Sequence, residues 1–145
     1  LPLNPKTMFL IHGLVTSTER KLVVKELKTL FKKYKNVYYS VDAALMEGYS
    51  LLDSSIKSKK QFMKYLRSKK IYYQLLGSAL YFYKPIIEDH PSRMTWGTDL
   101  YYWWHYDKDV LKKVIEFGRD FIAGLDPKVQ KKFAYKNSED MFNFY

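Results

Sequence analysis

The chain has 145 residues, 47% of them hydrophobic and 18% aromatic, which suits one modest packed domain and argues against disorder. It has no cysteine, so a disulfide scaffold and a thiolate metal site are excluded, and no apolar run approaches the roughly 18 residues that span a bilayer. The formal charge of +10 raises nucleic acid as a partner, yet only Arg20, Arg67, Arg93 and Arg119 of the 25 basic residues are arginines.

In chain order, Leu1-Pro2-Leu3-Asn4-Pro5 lacks the basic start and apolar stretch of a signal peptide, and there is no initiator Met. The chain therefore reads as beginning inside a longer polypeptide, in the cytoplasm. Thr7 to Ile11 is a compact apolar strand ending at His12-Gly13. Thr16-Ser17-Thr18-Glu19 supplies a helix cap, and Leu22, Val23, Leu27, Leu30 and Phe31 follow at helical spacing over Arg20 to Tyr34. Val37 to Val41, β-branched and aromatic, predicts a second strand ending at Asp42. Ala43 to Ser58 is irregular and reads as a loop with room for a short helix.

Lys59 to Leu76 has helical periodicity, Gly77-Ser78 interrupts it, and Ala79 to Asp89 reads as a further helix in which Pro85 marks a start or a kink. After the His90-Pro91-Ser92-Arg93 corner, Arg93 to Gly97 predicts a buried third strand with Asp99 just beyond it. Asp107 caps a helix to about Phe121, with Val110, Leu111, Val114, Ile115 and Phe117 on one face. Asp126-Pro127 is a cap followed by first-turn proline and starts a helix to about Tyr135. Asn137 reads as the cap of a last short helix with Met141 and Phe142. Lysines lie along these helical faces, Lys21, Lys25, Lys28, Lys32 and Lys33 in one and Lys57, Lys59, Lys60, Lys64, Lys69 and Lys70 in another. Because lysine is a strongly hydrated point charge, less suited than arginine to bidentate recognition, they read as solvated surface with weak, salt-sensitive attraction to polyanions.

Strands this far apart, joined through helices, pair in parallel by right-handed crossovers. Parallel strands bring their C-terminal ends to one side, so His12, Asp42 and Asp99 stand where α/β proteins carry their chemistry. An imidazole and a carboxylate suit zinc, manganese or iron, and an aspartate beside a bound metal stays ionised and accepts a proton from water. Helix caps and packing are the plainer reading of the same residues. His90 belongs to the opposite end of the third strand. His105 is on the favourable side but lies in an aromatic run. Tyr101-Tyr102-Trp103-Trp104 reads equally as the wall of a pocket for an aromatic or sugar-like substrate and as core or subunit contact. Gly118 and Gly124 mark a close helix contact and a helix end.

Phe9-Leu10-Ile11-His12-Gly13, then Lys35 to Asp42, then His90 to Asp99, and last Phe133 to Phe142 with Asn137 ahead of Met141-Phe142, resemble in order the C-terminal part of the amidohydrolase superfamily. The similarity is to its amidohydrolase-related branch of metal-dependent hydrolases and decarboxylases. It implies a single partial α/β domain over residues 1–145, carrying about strands 6 to 8 of a (β/α)8 TIM-like barrel. It further implies that Asp99 is a metal ligand that orients or deprotonates the attacking water. His12 would ligate a metal or act as acid or base. His12 is followed at once by Gly13, where the family often has an intervening residue, and Asp42 has no fixed role there, so it reads as a substrate-loop or capping residue. The implied cofactor is a divalent ion, zinc first, with manganese or iron as the other choices. The implied reaction is hydrolysis of a C–N or C–O bond, or non-oxidative decarboxylation, inactive in this segment alone. Implied partners are a small-molecule substrate and the missing barrel half or a partner subunit, with a homo-oligomer left open and neither a specific nucleic acid nor a membrane. The alternative is a non-catalytic, basic, aromatic-rich protein that binds a polyanion or a protein partner.

Overall fold

The computed structural model describes residues 7–11, 20–41, 58–98, 100 and 102–142. Three parallel strands, β1 (Phe9–Ile11), β2 (Val37–Val41) and β3 (Met94–Trp96), form one sheet in the order β1-β2-β3. Phe9 stands opposite Val37 in one pair, and Tyr39 opposite Met94 in the other. The central strand is the apolar, β-branched and aromatic segment, and Val37, Tyr39 and Val41 are buried on one face with Ser40 on the other.

Helix α1 (Arg20–Lys33) buries Leu27 and Phe31, packing on β2 and on α3 (Lys69–Asp89). Helix α2 (Lys59–Arg67) starts at Ser58, whose hydroxyl accepts from the Gln61 N–H, and buries Phe62, Met63 and Leu66. Helix α4 (Lys108–Ala123) starts at Asp107, whose carboxylate accepts from the Asp109 N–H at 3.1 Å, and ends at Gly124. Its buried residues Val110, Val114, Phe117 and Phe121 recur every three or four positions, so one stripe faces the core. Helices α2, α3 and α4 pack on one another, and Phe62, Leu75, Phe117 and Phe121 are almost fully buried where they meet. Each such side chain contributes about 1.5–3 kcal/mol of transfer free energy.

A continuous helical run closes the chain: α5 (Pro127–Lys131), a π turn over Lys132–Lys136, and α6 (Asn137–Phe142). Val129, Phe133, Asn137 and Met141 are buried at a constant spacing of four. In a regular α-helix that spacing drifts about 40° per step, and the wider π turn removes drift where the run meets β3. There the Asn137 amide nitrogen donates to the carbonyls of Pro91 and Met94, each at 2.7 Å.

Three expectations are corrected. The chain is not a portion of a TIM-like barrel: most described residues are helical, the strands are three to five residues long, and the core is largely helix on helix. Beside β3, where a barrel continues into another strand, the closing run and its Asn137 amide sit instead. Strand–helix alternation is common to all parallel α/β folds, so it did not distinguish a barrel from this helical arrangement. Second, the predicted interruption at Gly77-Ser78 falls at Ser68, which is extended (φ −75°, ψ 107°), and α3 runs unbroken through Gly77 and Pro85. Burial of Leu75, Ala79, Tyr83, Ile86 and Ile87 outweighs the roughly 1 kcal/mol helix penalty of one glycine. Third, Asn137 is not a cap. Its backbone is helical (φ −64°, ψ −35°), and its side chain is spent on the strand instead.

Candidate functional site

Because the strands are parallel, Ile11, Val41 and Trp96 end them at one end of the sheet. The register pairs Val41 with Trp96, while Ile11 is level with Tyr39, so β1 stops about two residues short. His12 and Asp42 follow Ile11 and Val41 in the chain, and Asp99 follows Trp96 after Gly97-Thr98. His12, Asp42 and Asp99 themselves lie outside the described residues.

On the β3 side this end is closely packed. Trp96 lies against Gly118 of α4, where a Cβ would collide with the indole ring. The chain then forms a 3-10 turn, Trp103–Tyr106, that splits the aromatic run by face. Trp104 and His105 are buried, at 4% and 2% exposure, whereas Trp103 is 84% and Tyr106 66% exposed. The Tyr102 and Trp104 rings stack at 5.2 Å, and Trp104 meets Phe62 of α2 edge-on at 5.0 Å. His105 packs edge-on to Trp104 at 4.2 Å, and its Nδ1 accepts from the Tyr102 N–H at 3.3 Å. Accepting at Nδ1 places the proton of a neutral ring on Nε2. Core packing thus accounts for Tyr102 and Trp104, Trp103 faces solvent, and Tyr101 lies outside the described residues. Lys59 Nζ meets Asp107 Oδ2 at 2.6 Å, tying α2 to the start of α4 and holding the Asp107 carboxyl below the usual carboxylate range.

The opposite end of the sheet is built for stability. The Arg93 guanidinium donates to the carbonyls of Tyr34 at 3.1 Å and Val37 at 3.3 Å, closing the α1–β2 turn. His90 sits edge-on to Phe31 at 5.1 Å, and burial lowers its pKa while neighbouring Asp89 opposes the shift. His90 thus lies at the Pro91 corner before β3, the end of that strand expected for it.

Among the described residues no three His, Asp or Glu side chains form a group able to hold a metal ion. The two donors that the resemblance assigns to a metal, His12 and Asp99, fit zinc, manganese or iron by ligand type but are two where catalytic zinc takes three from protein. Sequence reasoning missed the burial of His105 and the structural role of Asn137. The first had a signal, since His105 is flanked by Trp104 and Tyr106. Among the described residues no helix is long and apolar enough to cross a membrane. Comparisons with protein-family models, curated proteins and solved structures found no match to this chain.

Proposed function

We propose that this chain carries part of the site of a metal-dependent hydrolase acting on a C–N or C–O bond, with non-oxidative decarboxylation as a related outcome. The observation that supports it is the parallel sheet: three strands end on one side, each followed in the chain by His12, Asp42 or Asp99. The resemblance of these segments to amidohydrolase-type hydrolases supports the same assignment of roles. Asp99 and His12 hold a divalent ion, zinc first, whose chemistry is to bring the pKa of water near neutrality. Asp99, kept ionised, takes the proton of the attacking water, and His12 polarises or protonates the substrate. Asp42 caps or borders the substrate loop. A partner subunit or further polypeptide supplies the remaining ligands, and a cytoplasmic location belongs to the same proposal.

The test is turnover of C–N and C–O substrates by the protein as its gene encodes it, compared with Asp99→Asn. The substitution keeps the side-chain shape and removes the base, so turnover falls by about 100-fold or more. Wild-type turnover in that variant refutes the assignment.

A further inference from the structure

The geometry points to a docking groove between α2 and α4 for an acidic segment of a partner protein. The groove is open, has a volume of about 800 Å³, and is lined by no residue of the three strands. Its apolar lining comes from Met63 of α2 and from Leu111 and Ile115 of α4. Exposed cations stand on both helices of the lining, Arg67 on α2 and Lys112 and Arg119 on α4. Among the described residues no carboxylate pairs with these three cations.

Three carboxylates, Asp109, Glu116 and Asp120, line the groove with five cations, the other two being Lys108 and Lys113. Glu116 meets Lys113 Nζ at 2.6 Å, and Asp120 accepts from the buried Tyr72 hydroxyl at 2.6 Å. Burial first, and then that bond, raises the Tyr72 pKa, so the hydroxyl keeps its proton and remains a donor to Asp120. Asp120 keeps its charge in that bond, and with five cations against three carboxylates the groove remains net positive beside its apolar side chains.

Two of the chain's four arginines stand here, and a guanidinium matches a carboxylate bidentately in a way that lysine does not. Nucleic acid satisfies the cations but leaves Met63, Leu111 and Ile115 without apolar partners. A peptide in which acidic residues flank leucine or phenylalanine satisfies both, as amphipathic segments do in apolar grooves. The inference stands on this groove alone and is independent of the hydrolase reading.

The probe is a labelled synthetic peptide with glutamates flanking leucines, followed by fluorescence anisotropy against the full chain. Polyglutamate of equal charge and an oligonucleotide of equal charge serve as competitors. The peptide binds about tenfold tighter than polyglutamate, and Arg67→Glu with Arg119→Glu weakens it by about tenfold. Lys112→Glu alone weakens it less, and the control pair Lys25→Glu with Lys128→Glu, on exposed sites elsewhere, changes it by less than about twofold. Circular dichroism confirms that each variant is folded. Equal losses in the groove and control pairs overturn the proposal, as diffuse charge attraction is then sufficient. It is overturned equally if polyglutamate or the oligonucleotide binds as tightly as the peptide.

Discussion

Replacing Asn137 tests how the helical C-terminus is fastened to the sheet. Its side chain is 5% exposed, and one amide nitrogen donates to two carbonyls, Pro91 and Met94, both at 2.7 Å. Asn137→Ala strands both acceptors where water has poor access. An unsatisfied buried group costs about 1–3 kcal/mol, so the two together cost about 2–6 kcal/mol. That is a large share of the roughly 5–15 kcal/mol by which domains are stable. Asn137→Asp separates this bond from mere packing, because the shape is kept while a carboxylate faces two carbonyl oxygens at neutral pH. The aspartate is penalised when charged, so its folded-state pKa rises above the unfolded value and the variant regains stability as pH falls through that range. A protonated carboxyl has one O–H and serves only one carbonyl, so recovery is incomplete. Urea titrations followed by circular dichroism, at pH 7 and about pH 4.5, read both effects. A cost below about 0.5 kcal/mol for Asn137→Ala, or an Asp variant as stable as wild type at pH 7, refutes the reasoning.

Gly77 lies exposed inside α3 with nothing within 4 Å of a Cβ, so Gly77→Ala raises stability by about 0.5–1 kcal/mol in the same titration. Gly118→Ala acts in the opposite direction, since its methyl meets the rigid Trp96 ring, and a loss of about 1–3 kcal/mol is expected. His90 is held neutral chiefly by burial against Phe31, with Lys28, Lys32 and Arg93 lowering its pKa further and Asp89 opposing them. With the folded pKa below the unfolded value, stability is full above about pH 6.5 and declines as pH falls through the folded pKa. The difference between wild type and His90→Gln, measured across that window, isolates this histidine; an unchanged pH slope in the variant refutes it.

The central strand was readable because Val37-Tyr38-Tyr39-Ser40-Val41 combines β-branched and aromatic residues between turn signals, and its predicted limits match the structure. β1 and β3 lie inside their predicted segments but are shorter, each pairing through three residues. Asp107 and Asp126-Pro127 marked their helix starts because capping is local chemistry that neighbours rarely override. Gly77 and Pro85 misled for the opposite reason. Their local penalties are outweighed by long-range burial of Leu75, Tyr83 and Ile87, which periodicity alone does not weigh. The architecture was overdrawn because three parallel strands with intervening helices belong to many folds, and the way a sheet edge is covered depends on distant residues such as Asn137. At the site, the parallel register supports the common side of the strand ends, whereas His12 and Asp99 lie outside the described residues and their roles rest on residue chemistry and resemblance.

The most direct measurement is the divalent metal bound per chain in the protein as its gene encodes it, by elemental analysis of wild type, His12→Asn, Asp42→Asn and Asp99→Asn. The account predicts bound zinc, manganese or iron that is lost in the His12 and Asp99 variants and kept in the Asp42 variant. Metal absent from wild type, or bound equally by all four proteins, contradicts it.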